Sequence, residues 1–533
     1  MCFSVLFAKA EKRLKNQHFE RIDTMSASRE KKQRQASGPS QKDTQTQQQA
    51  QAYRRKATRY TIIGVVVAVL VAALLIYNSG VFQRGKTAAV VGDTNYTVND
   101  VSYYYYMMRN QSFYMYYALG YTPPSDDTVM DAETGKTYKE YFQESALTAL
   151  TRTTALYDAA IKDGYSEAGV ADTVAEQIKT IKETASSNGY SSYGAFLKAQ
   201  YGRYMTVSAY KKIITKVAVA EAYSSDYSDA LTYDEAALNA YYDEHKDSLD
   251  TFEYSYLYFK PETVSSTDEN GKEYTDDEKA KLSEEALAAA KANAEAAVEA
   301  IRNGAKIADL IEEYDITTSV GSSISSTYSE KLFALSEGGA DLVENGDSGY
   351  YVVALHSRTL VQDPTADVRH ILIKAATETD AEDSSKVVAP TDEAWAAAKA
   401  KAEEILAEYE AGEHTAEAFA ALAEKYSEDT GSNTNGGLYT DVYSGRFVNE
   451  FNSWIFDREH QSGDVDIICH DDGEDATSSS YYGYHVVYFQ DWADPVWMNT
   501  ADSALRSADT QTWVAGLQEG YTASYTDAVR YAI

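Results

Sequence analysis

The sequence predicts a multidomain α+β chain made of an N-terminal transmembrane helix, an all-helical domain and two similar α+β domains in tandem. Three observations predict it. A single uncharged stretch runs from Tyr60 to Gln83, helical patterning between about 97 and 246 is interrupted by Gly and Ser breaks, and one strand and helix wording occurs twice after residue 250. With 533 residues and 44% hydrophobic content, the chain has room for about three or four ordinary domains.

The uncharged stretch contains TIIGVVVAVLVAALLIY, long enough to span a bilayer. A cleaved signal peptide would need a shorter apolar core and a small-x-small site, which Tyr77-Asn78-Ser79 does not supply. Arg54, Arg55, Lys56 and Arg59 precede the span, so the positive-inside rule puts residues 1–59 in the cytoplasm and the bulk outside. Met25 opens a polar, Gln-rich stretch that reads as a disordered start to this tail.

Charge divides at the same place. Residues 1–60 hold 14 Lys plus Arg against 5 Asp plus Glu, leaving 34 basic and 77 acidic residues beyond. So acidic a bulk repels phosphate backbones, which argues against nucleic acid as a partner. The two cysteines, Cys2 and Cys469, lie on opposite sides of the span, so neither an intrachain disulfide nor a Cys-based zinc site is expected.

Residues 88–96 read as a strand and turn, and Thr97-Val98-Asn99-Asp100 as a helix cap. The helical domain is placed at 88–248. Tyrosine is frequent, with 45 in the chain and a run from Tyr103 to Tyr106; such faces either hold unfolded polypeptide or simply fill core and surface. Thr232 to Glu235 reads as a capping box that starts a helix ending near Asp247, and a strand follows from Phe252 to Phe259.

The tandem domains are placed at 250–360 and 366–491. FEYSYLYFK, ending at Lys260, matches DVRHILIK, ending at Lys374. The helical set Ile307, Leu310, Ile311 and Tyr314 repeats the spacing of Phe419, Leu422, Ala423 and Tyr426, and GYYVV from Gly349 matches GYHVV from Gly483. Residues 492–533, with Trp497, Leu505, Trp513, Leu517 and Tyr521, read as a helical extension that packs back on an earlier part.

In the second copy, RHILI, an amphipathic helix bearing Trp395, Ala398, Ala402, Ile405 and Tyr409, FAALAEKYSEDTGSNTNGGL, SGRFVNEF and GYHVVYF follow in order. This run of motifs resembles the parvulin family of peptidyl-prolyl isomerases over roughly 125 residues. More loosely, the AFLKAQYG segment and the overall layout resemble PrsA- and SurA-type extracytoplasmic foldases, in which a helical chaperone module accompanies parvulin domains.

The resemblance implies that His370, Asp429 and His485 form the catalytic polar floor of the site. It implies that Phe447 and Phe451 hold the substrate proline ring, with Tyr439 or its neighbour Leu438 completing the pocket. Two plainer readings stand beside it: the histidines hold the shape of the site through hydrogen bonds, or the phenylalanines are ordinary helix core. Such chemistry turns a bond with a barrier of about 18–20 kcal/mol and breaks none, so no cofactor or metal is required. Cys469-His470-Asp471-Asp472 places its ligand types side by side and makes a poor metal site.

The first copy has Tyr256, Tyr351 and Thr317 at or near the positions of His370, His485 and Asp429, so it is expected to be catalytically silent. The second copy departs from the family at Gly436-Gly437-Leu438-Tyr439-Thr440, and an acidic, Ser-rich insertion from Asp471 to Ser480 precedes its terminal strand. The expected function is that of a membrane-anchored isomerase and chaperone acting on unfolded secreted polypeptides. The alternative is a holdase that uses the parvulin fold to bind clients with little or no turnover.

Overall fold

Helix α1 (Gln41–Asn78) runs for 38 residues, about 57 Å at the usual rise. Its stretch Lys56–Tyr77 has a mean hydropathy of 2.6 and none of it is buried. Leu70 and Leu75 are more than 60% exposed, whereas a helix from a soluble core would hide such side chains against protein. Length and composition therefore make α1 the one helix among the described residues able to cross a membrane. The computed structural model describes residues 41–316, 318–319, 324–379, 386–473, 477 and 480–533.

Residues 41–59, expected as part of a disordered tail, continue α1 as helix. They are rich in Gln, Ala, Lys and Arg with no Gly or Pro, a composition that favours helix. The rest of the expected tail, with Cys2 and Met25, lies outside the described residues, and so does Thr317.

The chain divides into two compact units, one of residues 1–220 with 520–533 and one of residues 221–519. In the first, β1 (Thr87–Val91) and β2 (Thr94–Thr97) form a hairpin through Gly92, whose φ of 55° suits glycine. The C-terminal strand Ala523–Tyr525 pairs with the other side of β1, setting Tyr525 opposite Ala89 and Ala523 opposite Val91. Helix α2 (Val98–Ser112) starts on a full capping box, in which Thr97 and Asp100 each bond the other's backbone N–H.

Five further helices follow: α3 (Tyr114–Ala118), α4 (Tyr138–Lys162), α5 (Ala171–Ser187), α6 (Tyr193–Tyr201) and α7 (Val207–Ala230). The tyrosine run is core. Tyr103, Tyr104 and Tyr105 are buried and Tyr106 is half-buried. Tyr103 contacts the rings of Tyr201 and Tyr210 with centroids 5.1 and 6.0 Å away, and the Tyr105 hydroxyl donates to Asp126 at 2.6 Å. Aromatic exposure in this unit falls instead on Tyr114, Tyr117 and Tyr121.

The second unit takes in the end of α7 from Glu221 and then α8 (Glu235–Leu249), whose cap is Asp234, not Thr232: the Asp234 carboxylate accepts from Ala237 N at 2.9 Å. Aspartate one residue before the first helical position is in place to do this, and Thr232 is not. Then come β3 (Thr251–Phe259), α9 (Asp276–Arg302), α10 (Ile307–Tyr314), β4 (Thr318–Ser319), α11 (Ser329–Phe333), β5 (Ala340–Glu344) and β6 (Tyr350–Thr359). The strands form an antiparallel sheet in the order β4-β3-β6-β5.

The same sequence of elements recurs as β7 (Pro364–Lys374), the small hairpin β8 (Glu378–Thr379) with β9 (Val387–Val388), α12 (Asp392–Glu410), α13 (Ala416–Tyr426), β10 (Leu438–Val442), α14 (Asn449–Ile455), β11 (Val465–His470) and β12 (Gly483–Pro495). The large sheet is again antiparallel, in the order β10-β7-β12-β11. Register matches too: Tyr258 faces Tyr351 across the first central pair as Leu372 faces His485 across the second. Helix α15 (Val496–Gln518) closes the unit, with Trp497 against Leu238 of α8 and Trp513 stacked on Tyr227 at 3.8 Å.

Strand alternation gives the second large sheet two different faces. Ile371, Ile373, Val486 and Tyr488 pack beneath α12 and α13 with Ala402, Ile405 and Phe419. Val368, Val487 and Phe489 pack on the opposite side with Phe451 and Ile455 of α14. His370 and His485 belong to this second face.

The first unit depends on residues 520–533. Beyond the strand pairing, Ser102 Oγ donates to Ala532 O at 2.8 Å, and the Tyr525 hydroxyl donates to Gln143 O at 2.6 Å. Deleting residues 520–533 should destabilise that unit by on the order of 3 kcal/mol, at about 0.5–1.5 kcal/mol per lost hydrogen bond. Hydrogen exchange of the β1 and α2 amides reads this directly, and unchanged protection would contradict it.

Candidate active site

The site is built where β7 and β12 run side by side. His370 and His485 project from adjacent strands on the face beneath α14, and their rings lie 5.1 Å apart at 15° with Nδ1 to Nδ1 at 2.9 Å. Both are buried, at 4% and 2% exposure. Gly483 permits this closeness, since a Cβ there would run into the Ile373 carbonyl.

The third group arrives from the loop after α13. Ser427 Oγ accepts from Leu372 N at 3.1 Å and Glu428 N donates to Leu372 O at 2.9 Å, which joins the loop to β7 and sets Asp429 beside His370. The Asp429 carboxylate lies 2.8 Å from His370 Nε2. It also accepts the hydroxyls of Ser432 at 2.5 Å and Tyr439 at 2.9 Å, and the amide of Gly431 at 3.0 Å. Gly436 and Gly437, at φ of 68° and 72°, turn the chain into β10. A Cβ on Gly437 would strike the His370 carbonyl, and the Gly437 carbonyl accepts from His370 N at 3.0 Å.

Aromatic rings cover the imidazoles. Phe451, 1% exposed, stacks on His370 at 5.5 Å and on His485 at 5.2 Å, and Phe447 stacks on Phe451 at 4.9 Å. Tyr439 meets Phe447 edge-on at 5.0 Å, and the Arg446 guanidinium lies over both rings. Phe447 and Tyr439 are only half-buried, so they form the accessible wall, while Phe451 forms its base. Of the two alternatives on β10, it is Tyr439 that faces the site. Leu438, one residue earlier, falls on the other sheet face by strand alternation, and so is not part of this wall.

The structure therefore brings His370, Asp429, His485, Phe447, Phe451 and Tyr439 together and leaves Leu438 apart. It adds residues that sequence reading did not select: Ser432, Arg446 and Tyr481, whose hydroxyl lies 3.1 Å from His485 Nε2. Ser432 and Arg446 stand inside motifs already singled out, three residues after Asp429 and one before Phe447. Tyr481 follows the insertion directly, and no periodicity marks it.

Charge in the cluster is well defined. Hydrogen bonds hold the Asp429 carboxyl far below the usual carboxylate range, that from His370 foremost and that from Ser432 next, against the opposing effect of burial. Burial draws His485 down to about 3, helped by the neighbouring His370 and His470 and opposed by Asp429. Burial and the Asp429 carboxylate raise the Tyr439 phenol. At neutral pH the cluster is thus an ionised carboxylate fed by hydroxyls, with a neutral His485.

These shifts have a signed consequence. His485 takes up its proton near 6.5 when unfolded and near 3 when folded, so between those values the unfolded chain binds the extra proton and stability falls as pH is lowered. Asp429 acts in the same direction further down, since its folded-state value is depressed: its contribution is present above the ordinary carboxylate range and is lost on acidification. Thermal melts of wild type and His485→Gln between pH 6.5 and 4.5 should differ in slope by about 1.4 kcal/mol per pH unit, the value for one proton. Parallel curves would contradict this assignment.

Residues 370–491 match the family model of the PPIC-type PPIase, or rotamase, domain. Comparison with curated proteins returns no match. Among solved structures, PrsA from Bacillus subtilis is 13% identical over 76% of this chain and 92% of its own, with a TM-score of 0.27. Foldase protein PrsA from Streptococcus pneumoniae is 12% identical over 73% and 91%, with a TM-score of 0.21. Peptidylprolyl isomerase PrsA from Bacillus anthracis is 19% identical over 30% of this chain and 58% of that chain, with a TM-score of 0.17. Superpositions this loose carry no argument about the chain, whereas the domain match spans every residue of the cluster from His370 to His485. The segment 370–491 accordingly belongs to the parvulin-type peptidyl-prolyl cis/trans isomerases, and the chain carries an enzyme domain of that type.

Proposed function

We propose that the chain is a membrane-anchored, extracytoplasmic foldase that isomerises X–Pro bonds in secreted polypeptides, with its helical unit holding the client. The observation that carries this reading is a hydrogen-bonded chain from His485 through His370 to Asp429 lying directly under an aromatic wall. In it Phe447 and Tyr439 grip the pyrrolidine ring and Phe451 supports them. The carboxylate and imidazoles form the polar floor.

The mechanism asks for no bond to be made or broken. Turning the X–Pro amide out of plane costs its resonance, leaving a pyramidal nitrogen and a more ketone-like carbonyl at the top of a barrier of about 18–20 kcal/mol. An apolar grip on the ring, with fixed dipoles aimed at the twisted amide, stabilises that state more than either planar one. A floor whose hydrogen bonds are already made needs little rearrangement as the amide turns.

The first tandem domain, 250–360, serves in this reading as a non-catalytic companion. Tyr256 and Tyr351 hold the register positions of the two imidazoles, and Tyr328 lies against both, each pair of centroids 5.5 Å apart. A holdase without turnover is the second reading, favoured by the exposed Tyr114, Met115, Tyr117 and Tyr121 of the helical unit.

The full chain in detergent should accelerate cis/trans exchange in a proline peptide. Phe447→Ala and Asp429→Asn should each lower kcat/KM by about tenfold, or about 1.4 kcal/mol of barrier. Suppression of client aggregation with no peptide turnover would select the holdase. Topology is tested separately through Cys469, which is free and exposed: a membrane-impermeant maleimide applied to intact cells should label it, with Cys469→Ala as the blank. Labelling only after permeabilisation would overturn the extracytoplasmic placement.

A further inference from the structure

The hydrogen bonds around the two histidines run in one direction. The Asp429 carboxylate, held ionised, can only accept, so His370 Nε2 carries a proton and donates to it. With His370 neutral, its Nδ1 is the acceptor, and His485 Nδ1 donates across the 2.9 Å gap. That leaves His485 Nε2 as a buried lone pair needing a donor, and the hydroxyl of Tyr481 stands 3.1 Å away. Burial, with the carboxylates of Asp472, Asp429 and Glu450, pushes the Tyr481 phenol up to about 12, so it keeps its proton at working pH.

A cluster outside the family site holds Tyr481 in place. His470, 5% exposed at the end of β11, sets its ring 4.7 Å from that of Tyr481. Its Nδ1 lies 3.3 Å from a Glu450 carboxylate oxygen, and its Nε2 lies 3.2 Å from Asp472 Oδ1, near enough for an ion pair but not aligned as a hydrogen bond. The other oxygen of Asp472 accepts from Tyr481 N at 2.9 Å. Glu450 precedes Phe451 on α14, so the cluster joins the base of the aromatic wall to the residue that completes the histidine chain.

We propose that Tyr481, clamped by His470, Glu450 and Asp472, is a positioning residue of the isomerase whose hydroxyl locks His485 in the Nδ1–H tautomer that the chain to Asp429 requires. The inference rests on the site reading above and extends it to the residue at the end of the 471–480 insertion. The titratable groups facing His485 are His370 and Asp429 from the β7 side, with Tyr439 beyond them, and Tyr481 and His470 with Glu450 and Asp472 from the insertion side. Donation to the Nε2 lone pair favours neutral His485, and so does a positive charge on His470; removing either makes His485 easier to protonate.

The test uses the full chain carrying Tyr481→Phe or His470→Gln, with kcat/KM followed from pH 2.5 to 8 and the imidazole nitrogens of His485 followed by NMR. Tyr481→Phe should lower kcat/KM by about tenfold, move the acid limb of the profile to higher pH and release Nε2 from its hydrogen bond. His470→Gln should do the same less strongly, and it preserves the test if Tyr481→Phe fails to fold. A folded Tyr481→Phe protein with the wild-type profile overturns the proposal, as does lower activity with an unmoved acid limb, which marks a merely structural role. If wild type itself lacks turnover, the site reading falls, and the His485 tautomer alone then decides the role of Tyr481.

Discussion

A pair of imidazoles placed out of water, 2.9 Å apart on neighbouring strands, is the constraint on which the rest of the second unit depends. Two buried rings sharing one hydrogen bond have two further ring nitrogens to satisfy, and each must find a partner or carry a cost of about 1–3 kcal/mol. Asp429 answers at one end and Tyr481 at the other. The loop after α13 and the Gly436-Gly437 turn hold the first of those ends, and the contacts of Tyr481 with Asp472 and His470 hold the second. Hydrogen-bond bookkeeping of this kind explains why so much irregular chain gathers on one sheet face while the other carries two plain amphipathic helices.

The twin sheets show what the constraint changes. Order and register agree, yet where the second sheet carries His370 and His485 the first carries Tyr256 and Tyr351, with rings 5.8 Å apart at 72°. Tyrosine edges and faces pack favourably against each other. The first copy thus keeps the architecture while setting aromatic rings where the second sets imidazoles.

Much of this was legible in the sequence because apolar period fixes strand and helix faces. The strands ending at Lys260 and Lys374 and the spacing from Ile307 and from Phe419 mark the repeat, and the ordered motifs mark His370, Asp429, His485, Phe447 and Phe451. What was not legible depends on three-dimensional company. Four consecutive tyrosines point all round a helix, so their sequence cannot say which side meets protein, and Tyr103 to Tyr105 turned out to be core. Asp234, two positions on, took the cap from Thr232. Tyr481 joined the site from outside any regular element, where there is no period to read.

The strand Ala523–Tyr525 completes a sheet begun more than 400 residues earlier. During synthesis, β1 therefore waits with an open edge while the whole of the second unit is made, and an unpaired edge invites pairing with other chains. The helical unit thus spends its own assembly in that condition, and its sheet closes only when residues 523–525 arrive.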